Sequence, residues 1–279
     1  MTLYVSDLDG TLLNRQSQLS DNTVQILNRL IQEEGIHFSI ATARTPATVT
    51  RLMERVDAKL PYIVMAGAAF WNNREQQYQS VRTFEPEVIE QLLRIYNSHT
   101  VNPFIYRQHG NQIYAHHVPE MTPEEQAFID YRLTSPLKQL FTDDTLVAND
   151  PDGAMLIMSM GKYDDLRAIA DDIDRNQVPC TYMCYHDIFD HTQGFLEIYK
   201  EGTTKAAAIH RLAEQVQADR VVVFGDNLND LPMMQSADHS IAVGNAFDEV
   251  KAQANEVIGT NEEDAVVNWI LQDVKKLKL

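Results

Sequence analysis

Short apolar runs alternate with amphipathic segments of helical length along the N-terminal part of the chain. In order, these segments are LYVSD, DNTVQILNRLIQEEG, HFSIAT, TPATVTRLMERVD and YIVMAG. In the first helix-length segment, Val24, Leu27 and Leu30 fall on one face, and Gly35 supplies a stop signal. The short runs are apolar throughout, which is typical of strands in a sheet that is covered on both faces. The pattern therefore predicts a parallel α/β architecture.

The same alternation resumes near residue 195 and continues to the C-terminus, through FLEIY, TTKAAAIHRLAEQV, VVVFG, HSIAV, EVIG and DAVVNWILQDVKK. The intervening region differs, because it combines helix signals with short alternating strands such as PFIYRQ, NQIYAHH and AMLIMSM. We therefore predict an α/β protein with a Rossmann-like, doubly wound parallel sheet core formed by residues 1–82 and 188–279. Residues 83–187 are predicted to form an inserted α+β domain.

Charge and composition narrow the possible partners. The chain has 279 residues, and 23 Lys and Arg against 40 Asp and Glu give a net charge of −17. No stretch gathers the basic residues of a nucleic-acid footprint, so a nucleic-acid partner is not expected. The start MTLYVSD lacks the features of a secretory signal, and no apolar run is long enough to span a membrane. We expect a cytoplasmic protein without a membrane partner, either a monomer or a homodimer.

Two patterns that could suggest a transition-metal site are weak. Cys180 and Cys184 form a single C-x3-C pair without a second pair of ligands, so two reduced thiols are favoured over a zinc site. His116 and His117 are adjacent in a predicted strand and should face opposite ways, so they cannot readily share a metal.

The first strand ends in an unusual pair of carboxylates within LYVSDLDGTLLN. In an extended strand, residues two apart point to the same face, so Asp7 and Asp9 project together where the strand gives way to a loop. In an open α/β sheet that edge is where ligands bind. Gly10 allows a sharp turn and Thr11 adds a donor. Taken alone, the spacing D-x-D is more typical of a loop cap than of a ligand site.

A second carboxylate cluster follows another apolar strand, in VVVFGDNLNDLPMM. After Gly225 come Asp226, Asn229 and Asp230, so acidic groups again lie at the carboxyl end of a strand. Ligand sets made only of oxygen suit Mg²⁺, which takes few protein carboxylates and keeps several waters. The alternative is an acidic turn with helix caps.

The motif DLDGTLL resembles the first signature of the haloacid dehalogenase superfamily, and further signatures follow in the family's order. SIATAR places Thr42 at the end of the second core strand, with Arg44 matching the arginine of the Cof-like branch. LEIYKEGTTKAAAIHRL places Lys205 at the start of a helix, and GDNLND is the last acidic signature. The resemblance covers essentially the whole chain.

This resemblance implies a role for each matched residue. Asp7 is expected to be a nucleophile, Asp9 a general acid and base, and Thr42 a hydrogen-bond donor to a phosphoryl group. Lys205 is expected to neutralise the nucleophile and the phosphoryl oxygens. Together with Thr42 and Lys205, Arg44 and Asn229 are expected to contact substrate.

Mg²⁺ is the cofactor that the resemblance implies. Its expected ligands are a carboxylate oxygen of Asp7, the backbone carbonyl of Asp9 and a carboxylate oxygen of Asp226. Asp230 is expected to act through water or by orienting Lys205. Asn245, in AVGNAFDEVK, matches a segment at the edge of the family's site.

The resemblance also implies a phosphatase acting on a small phosphorylated metabolite, with a sugar phosphate as the expected substrate. The inserted domain resembles a type C2 cap, which would shape specificity. The chain departs from the Cof-like pattern at Ala66, where relatives have the asparagine of NGA, and at Ala43, where they have glycine. Whether Arg44, Asn245, His186 or His191 contacts substrate stays open at this point.

Two alternatives also remain open. A phosphomutase of the same superfamily would share the D-x-D start and the placement of the insertion. A non-catalytic binding protein could retain the fold, although the complete set of matched residues argues against it.

Overall fold

The computed structural model describes residues 1–132, 135–150, 152–187 and 190–278. The chain folds into two compact units, one formed by Met1–Ser80 with Thr204–Leu279 and the other by Val81–Thr203. Residue 188, where the return to the core was predicted, lies outside the described residues, as does the C-terminal residue 279.

Strands and helices follow one another along the whole chain. The strands are β1 (Thr2–Ser6), β2 (His37–Ile40), β3 (Tyr62–Val64), β4 (Ala69–Asn72), β5 (Gln77–Val81), β6 (Phe104–His109), β7 (Gln112–His117), β8 (Lys138–Thr142), β9 (Ala154–Lys162), β10 (Cys180–His186), β11 (Gln193–Lys200), β12 (Arg220–Gly225), β13 (His239–Ala242) and β14 (Glu256–Val257). The helices are α1 (Asp21–Glu33), α2 (Pro46–Leu52), α3 (Pro86–Tyr96), α4 (Pro123–Arg132), α5 (Tyr163–Arg175), α6 (Lys205–Val216), α7 (Leu231–Ser236), α8 (Asp248–Gln253) and α9 (Ala265–Lys276). Within the described residues, no helix is both long enough and apolar enough to cross a membrane.

The first unit is built on a five-stranded parallel sheet with the order β14-β13-β12-β1-β2. The central strand β1 is almost fully buried, as its apolar sequence predicted. Its neighbours β12 and β2 lie on opposite sides, so the chain runs outward from β1 in two directions. The doubly wound α/β core predicted from the sequence is confirmed, and its topological switch point lies at the end of β1.

Helix α1 shows how local sequence starts an element of this core. The Ser20 hydroxyl accepts a hydrogen bond from the backbone N–H of Thr23 at 2.9 Å, which caps the helix. Asp264, just before α9, accepts hydrogen bonds from the hydroxyls of Ser20 and Thr23. The two helices pack against each other, so the first and last helices of the chain are joined at their N-terminal ends.

A small three-stranded sheet with the order β3-β4-β5 extends this core. It meets the main sheet through a parallel bridge between Ala41 and Ile63, and β4 then runs antiparallel to β3. The predicted third core strand YIVMAG is therefore β3 followed by a tight turn.

The second unit contains a six-stranded sheet with the order β10-β11-β9-β6-β7-β8, in which only β7 and β8 pair in parallel. Helices α3 and α5 pack together on it. Their apolar faces, which include Leu92 and Ile169, share one buried cluster with Ile157 and Ile198 of the sheet. The predicted α+β character of the insertion is confirmed.

The predicted position of the return to the core was wrong. The segment FLEIY was assigned to the parallel core, but it forms part of β11, which pairs antiparallel with β9 and β10. Glu197 lies in the middle of the apolar run FLEIY. A charged residue at such a position indicates a strand with one polar face rather than a strand that is buried on both sides. Leu196 and Ile198 are fully buried, whereas Glu197 is not. The second unit therefore ends at Thr203.

The two ends of the second unit are joined by hydrogen bonds. Arg82, near its start, donates through Nε to the Thr203 hydroxyl at 3.0 Å and through Nη2 to the carbonyl of Glu201 at 2.7 Å. Lys200 also pairs with Glu85. The segments that enter and leave this unit therefore lie side by side.

Gly67 marks a close backbone approach within the first unit. It lies in the turn between β3 and β4 with a φ of +103°, and a Cβ at this position would lie 2.3 Å from the carbonyl oxygen of Thr204. Thr204 is the residue that caps α6. A side chain at residue 67 would therefore displace the start of α6.

We expect Gly67→Ala to lower the free energy of unfolding by about 2–5 kcal/mol, because an unfavourable backbone conformation and steric overlap add together. Gly35→Ala is the matched control, since Gly35 also has a positive φ (+66°) but nothing lies within 4 Å of its added Cβ. The control should lose only about 1–2 kcal/mol. Equilibrium urea unfolding measures both values, and equal losses would contradict the prediction.

Candidate active site

The candidate site lies where neighbouring parallel strands end. The backbone N–H of Asp7 donates to the carbonyl of Phe224 at 2.9 Å, and that of Ala41 donates to Ser6 at 2.9 Å. The chain segments that leave β1, β2 and β12 are therefore adjacent at one edge of the sheet. This edge is the ligand-binding edge of open α/β sheets.

Three carboxylates from two of these segments converge. Asp7, Asp226 and Asp230 each offer a carboxylate oxygen, and these oxygens lie within 4.8 Å of one another. Asp230 is fully buried and accepts hydrogen bonds from the backbone N–H groups of Asp226 and Asn227 at 3.1 and 3.2 Å. The loop after β12 thus folds back on itself, and its own backbone N–H groups hold the carboxylate of Asp230 next to Asp226.

Lys205 is the cation of this group. Its Nζ donates to Asp7 at 2.5 Å and to Asp230 at 2.8 Å, and its side chain is buried. The position depends on the start of α6, where the Thr204 hydroxyl accepts a hydrogen bond from the backbone N–H of Ala207 at 3.0 Å. With all three carboxylates ionised, the group and its one ammonium would carry a net charge of −2.

Burial and the neighbouring charged groups together set the ionisation of this group. Burial raises the pKa of Asp7 to about 8, with Asp230 adding to the shift and Lys205 opposing it. Burial also raises the pKa of Asp226 to about 6. Burial alone would lower the pKa of Lys205, but attraction to Asp7 and Asp230 outweighs it and raises that pKa above its ordinary value. Lys205 therefore stays charged.

The donor set fits a divalent cation. All the ligand atoms offered are oxygens, and a doubly charged ion would balance the net charge. Space beside Asp226 is kept by Gly10, since a Cβ there would lie 2.4 Å from its carboxylate. The Thr11 hydroxyl donates to the same carboxylate at 2.7 Å. Asp7, Asp226 and Asp230 could therefore hold Mg²⁺.

Asp9 is oriented differently from Asp7. Its carboxylate lies outside the three-carboxylate group and receives a two-pronged contact from Arg44, with Nε and Nη2 at 2.7 and 2.6 Å. Half of the Asp9 side chain is exposed. Planar pairing of this kind fixes the orientation of both groups. The predicted metal contact of Asp9, through its backbone carbonyl, remains a prediction.

Thr42 and Asn229 lie in the loops around this edge. Thr42 is buried at the end of the β2 segment, and its hydroxyl accepts a hydrogen bond from the backbone N–H of Arg44 at 3.1 Å. Asn229 is exposed in the loop after β12. Their predicted contacts with substrate remain predictions.

Asn245 holds the loop of the first motif, DLDGTLL, through hydrogen bonds. Its side-chain amide donates to the carbonyl of Gly10 at 2.7 Å, and its amide oxygen accepts from the backbone N–H of Asn261 at 3.0 Å. The Asn261 side chain in turn donates to the carbonyl of Leu13 at 2.8 Å. Sequence reasoning missed Asn261, because no local pattern links it to a loop near the N-terminus.

Ala66, where the Cof-like pattern predicts asparagine, lies in an unusual backbone conformation. Its φ of 53° and ψ of 22° lie in the left-handed region, which asparagine adopts more readily than alanine. Its backbone N–H donates to the carbonyl of Thr42 at 2.9 Å. Ala66 therefore occupies a turn position that asparagine would favour, and it offers no side-chain amide.

The weaker histidine candidates lie in the second unit. His186 hydrogen-bonds the carbonyl of His191 through Nδ1 at 2.8 Å, and its ring stacks on Tyr163. His116 pairs with Asp143, whereas His117 pairs with the carbonyl of Val118. His116 and His186 thus have local partners, and a contact of His186 or His191 with substrate remains a prediction.

Comparison with known proteins extends over nearly the whole chain. A family model described as haloacid dehalogenase-like hydrolase matches residues 4–270. A 5-amino-6-(5-phospho-D-ribitylamino)uracil phosphatase of Bacillus subtilis is 26% identical over 278 residues, 96% of each chain. A pyridoxal phosphate phosphatase of Escherichia coli is 27% identical over 276 residues, 95% of each chain. A crystal structure from Eubacterium rectale has the same fold, with a TM-score of 0.81, 20% identity and coverage of 99% and 98%.

We expect Asp7→Asn to gain stability relative to the wild type as pH rises in metal-free buffer. The folded pKa of Asp7, about 8, lies above its ordinary value of 3.8. The wild type is therefore stabilised by the protonated carboxyl at low pH and loses this contribution as pH rises through about 8. The asparagine side chain does not ionise, so the free energy of unfolding of Asp7→Asn lacks this dependence on pH.

Urea unfolding in EDTA from about pH 5 to about pH 9 measures the difference between the two proteins. Asp248→Asn is the control, because the Asp248 side chain is 99% exposed. A difference between Asp7→Asn and wild type that stays constant across this range would contradict the prediction.

Proposed function

The chain belongs to the haloacid dehalogenase-like hydrolase family, as its motifs predicted, and we propose that it hydrolyses the phosphate monoester of a small metabolite. The observation that carries the proposal is Lys205 held between Asp7 and Asp230, beside Asp226. A carboxylate beside a fixed cation and a candidate metal site is suited to attack an electron-poor phosphorus without being repelled by the phosphoryl oxygens.

In the first half-reaction, we propose that Asp7 attacks phosphorus in line and forms an aspartyl-phosphate. The buried Lys205 would stay charged throughout and stabilise both the nucleophile and the transferred group. Mg²⁺ held by Asp7 and Asp226 would add positive charge that keeps Asp7 ionised and screens the phosphate. Thr42 and Asn229 would donate hydrogen bonds to the phosphoryl oxygens.

Asp9 would move the protons. It would protonate the leaving oxygen in the first half-reaction and take a proton from the attacking water in the second. In the free protein its carboxylate pairs with Arg44. An anionic substrate would compete for that guanidinium, so Arg44 could pass from Asp9 to the substrate as the site fills.

The substrate class follows from the resemblance and from the relatives. The two curated relatives are named for small phosphorylated metabolites, a ribitylaminouracil phosphate and pyridoxal phosphate. We propose a substrate of this size, with a sugar phosphate as the first candidate. The second unit would serve as a cap that shapes specificity, a role supported by its place as an insertion in the family's core. A cytoplasmic location and a monomeric or homodimeric state remain predictions.

We expect the wild type to release phosphate from p-nitrophenyl phosphate in the presence of Mg²⁺, and EDTA to abolish the reaction. Asp7→Asn should lower kcat by about 10³-fold or more, because it removes the nucleophile. Asp248→Asn, which alters an exposed acid of the same unit, is the control and should retain activity. Phosphate release measured with a colorimetric reagent checks all three proteins.

Two results would contradict the proposal. Persistent activity in Asp7→Asn would exclude Asp7 as the nucleophile. With a sugar phosphate as the substrate, formation of an isomerised sugar phosphate without free phosphate would identify a mutase instead.

Asp9→Ala tests the proton transfer separately. We expect kcat/KM to fall by about 10²–10⁴-fold for an alkyl phosphate such as glycerol phosphate, whose leaving oxygen needs a proton. The loss should be much smaller for p-nitrophenyl phosphate, because nitrophenolate leaves without one. The dependence on Mg²⁺ concentration should stay as in the wild type, since the expected metal contact of Asp9 is its backbone carbonyl. Equal losses on the two substrates would exclude Asp9 as the general acid.

A further inference from the structure

A cavity of about 470 Å³ lies in the second unit, between the C-terminal ends of α3 and α5. Helix α3 contributes Arg94 and Ile95 to its lining, and the end of α5 with the loop after it contributes Arg175 and Val178. A volume of this size suits a small metabolite. Among the described residues, none that belongs to the candidate active site lines this cavity, so a ligand here would not use the three-carboxylate group.

The cavity has an apolar floor and a polar wall. Ile95 and Val178 are 8% and 7% exposed, and both belong to the buried cluster that α3 and α5 share with the sheet. The other described lining residues are all polar, and they include Gln91 and Asn176 as well as the two arginines. A ligand could therefore rest a carbon skeleton on the floor while its polar groups meet the wall.

The charged groups of the wall leave an excess of positive charge. Among the described lining residues Asp172 is the only acid, and its carboxylate already pairs with Arg175 and, at 3.0 Å, with Nε2 of His99. Arg94 lies 3.8 Å from Glu90, which is longer than a hydrogen bond. The side chains of Arg94 and Arg175 are 67% and 73% exposed, so their guanidinium donors can reach a ligand. Two arginines against one aspartate give the lining a net charge of +1.

The helix ends beside the cavity are already capped. The carbonyl of Ile95 accepts hydrogen bonds from the backbone N–H and the hydroxyl of Ser98 at 2.9 and 2.7 Å. The carbonyl of Asp172 accepts from the backbone N–H and the side-chain amide of Asn176 at 3.0 and 2.8 Å. Carbonyl groups at the end of a helix repel an anion, and these hydrogen bonds offset part of that repulsion. The arginines, which carry full charges, therefore dominate the interaction of the cavity with a charged ligand.

These properties select a class of ligand. The planar guanidinium groups of Arg94 and Arg175 match carboxylate and phosphate groups, which accept two parallel hydrogen bonds. A cation would be repelled by the two arginines. A wholly apolar ligand would cover the polar wall without giving its groups hydrogen-bond partners. We propose that the cavity binds a small organic anion, whose carboxylate or phosphate group pairs with Arg94 and Arg175. This second binding site goes beyond the proposed function and does not depend on it.

The experiment measures binding of inorganic phosphate and of succinate to the whole protein by isothermal titration calorimetry. The buffer contains no Mg²⁺, so the three carboxylates of the candidate active site disfavour an anion there, and no chelator, because EDTA is itself a polycarboxylate. Arg94→Ala and Arg175→Ala should each raise the Kd by about tenfold or more, because each removes charged hydrogen bonds. Arg167→Ala is the matched control, since Arg167 is an exposed arginine of α5 in an ion pair with Asp171 and does not line the cavity. Its Kd should equal that of the wild type.

Each outcome bears on the second site alone. Saturable binding of succinate, of phosphate or of both that is weakened in Arg94→Ala and Arg175→Ala supports the site, and the tighter probe identifies the anionic group. No saturable binding by the wild type, or an equal Kd in the wild type and Arg94→Ala, would overturn it. An equal rise of the Kd in Arg167→Ala would also overturn it, because the effect would then come from overall charge. Melting temperatures of the variants close to that of the wild type show that a weaker affinity does not come from unfolding.

Discussion

Three carboxylates held within 4.8 Å of one another repel, and much of the first unit serves to keep them there. One strand end supplies Asp7, and a loop pinned by its own backbone amides supplies Asp226 and Asp230. A single buried lysine balances part of the charge. Because that lysine is the first residue of α6, its position depends in turn on the cap of this helix and on the close approach of Gly67. The backbone thus holds three carboxylates and only one lysine close together at this site.

Asp7 and Asp9 follow the same strand but have different surroundings. Asp9 pairs with Arg44, whereas Asp7 stays buried against Lys205. One carboxylate is thus kept from water beside a buried lysine, and the other lies half in solvent beside a partly exposed arginine. Different surroundings give two identical side chains different chemistry, which is the condition for one to attack and the other to exchange protons.

Local sequence patterns predicted the parallel core, the insertion and the acids at the strand ends, because strand period and turn residues are local properties. They did not predict the pairing of Arg44 with Asp9, the role of Asn261, or the place of β11. Those features depend on contacts between residues far apart in the chain, such as Asn261 with Leu13. The run FLEIY resembles a core strand in its apolar residues, but Glu197 in its middle indicates the alternating faces of β11. The motifs of Asp7, Lys205 and Asp226 were recognised only as a set in a fixed order.

The contacts of Arg82 have a consequence for how such a chain could arise. Because Arg82 donates hydrogen bonds to Thr203 and Glu201, the first and last residues of the second unit lie next to each other. A segment whose two ends are adjacent can be inserted between two neighbouring residues of the first unit without moving those residues apart. The entropic cost of closing the host loop then depends only weakly on the length of the inserted segment. The length of the insertion is therefore only weakly coupled to the closure of the core that holds the three carboxylates.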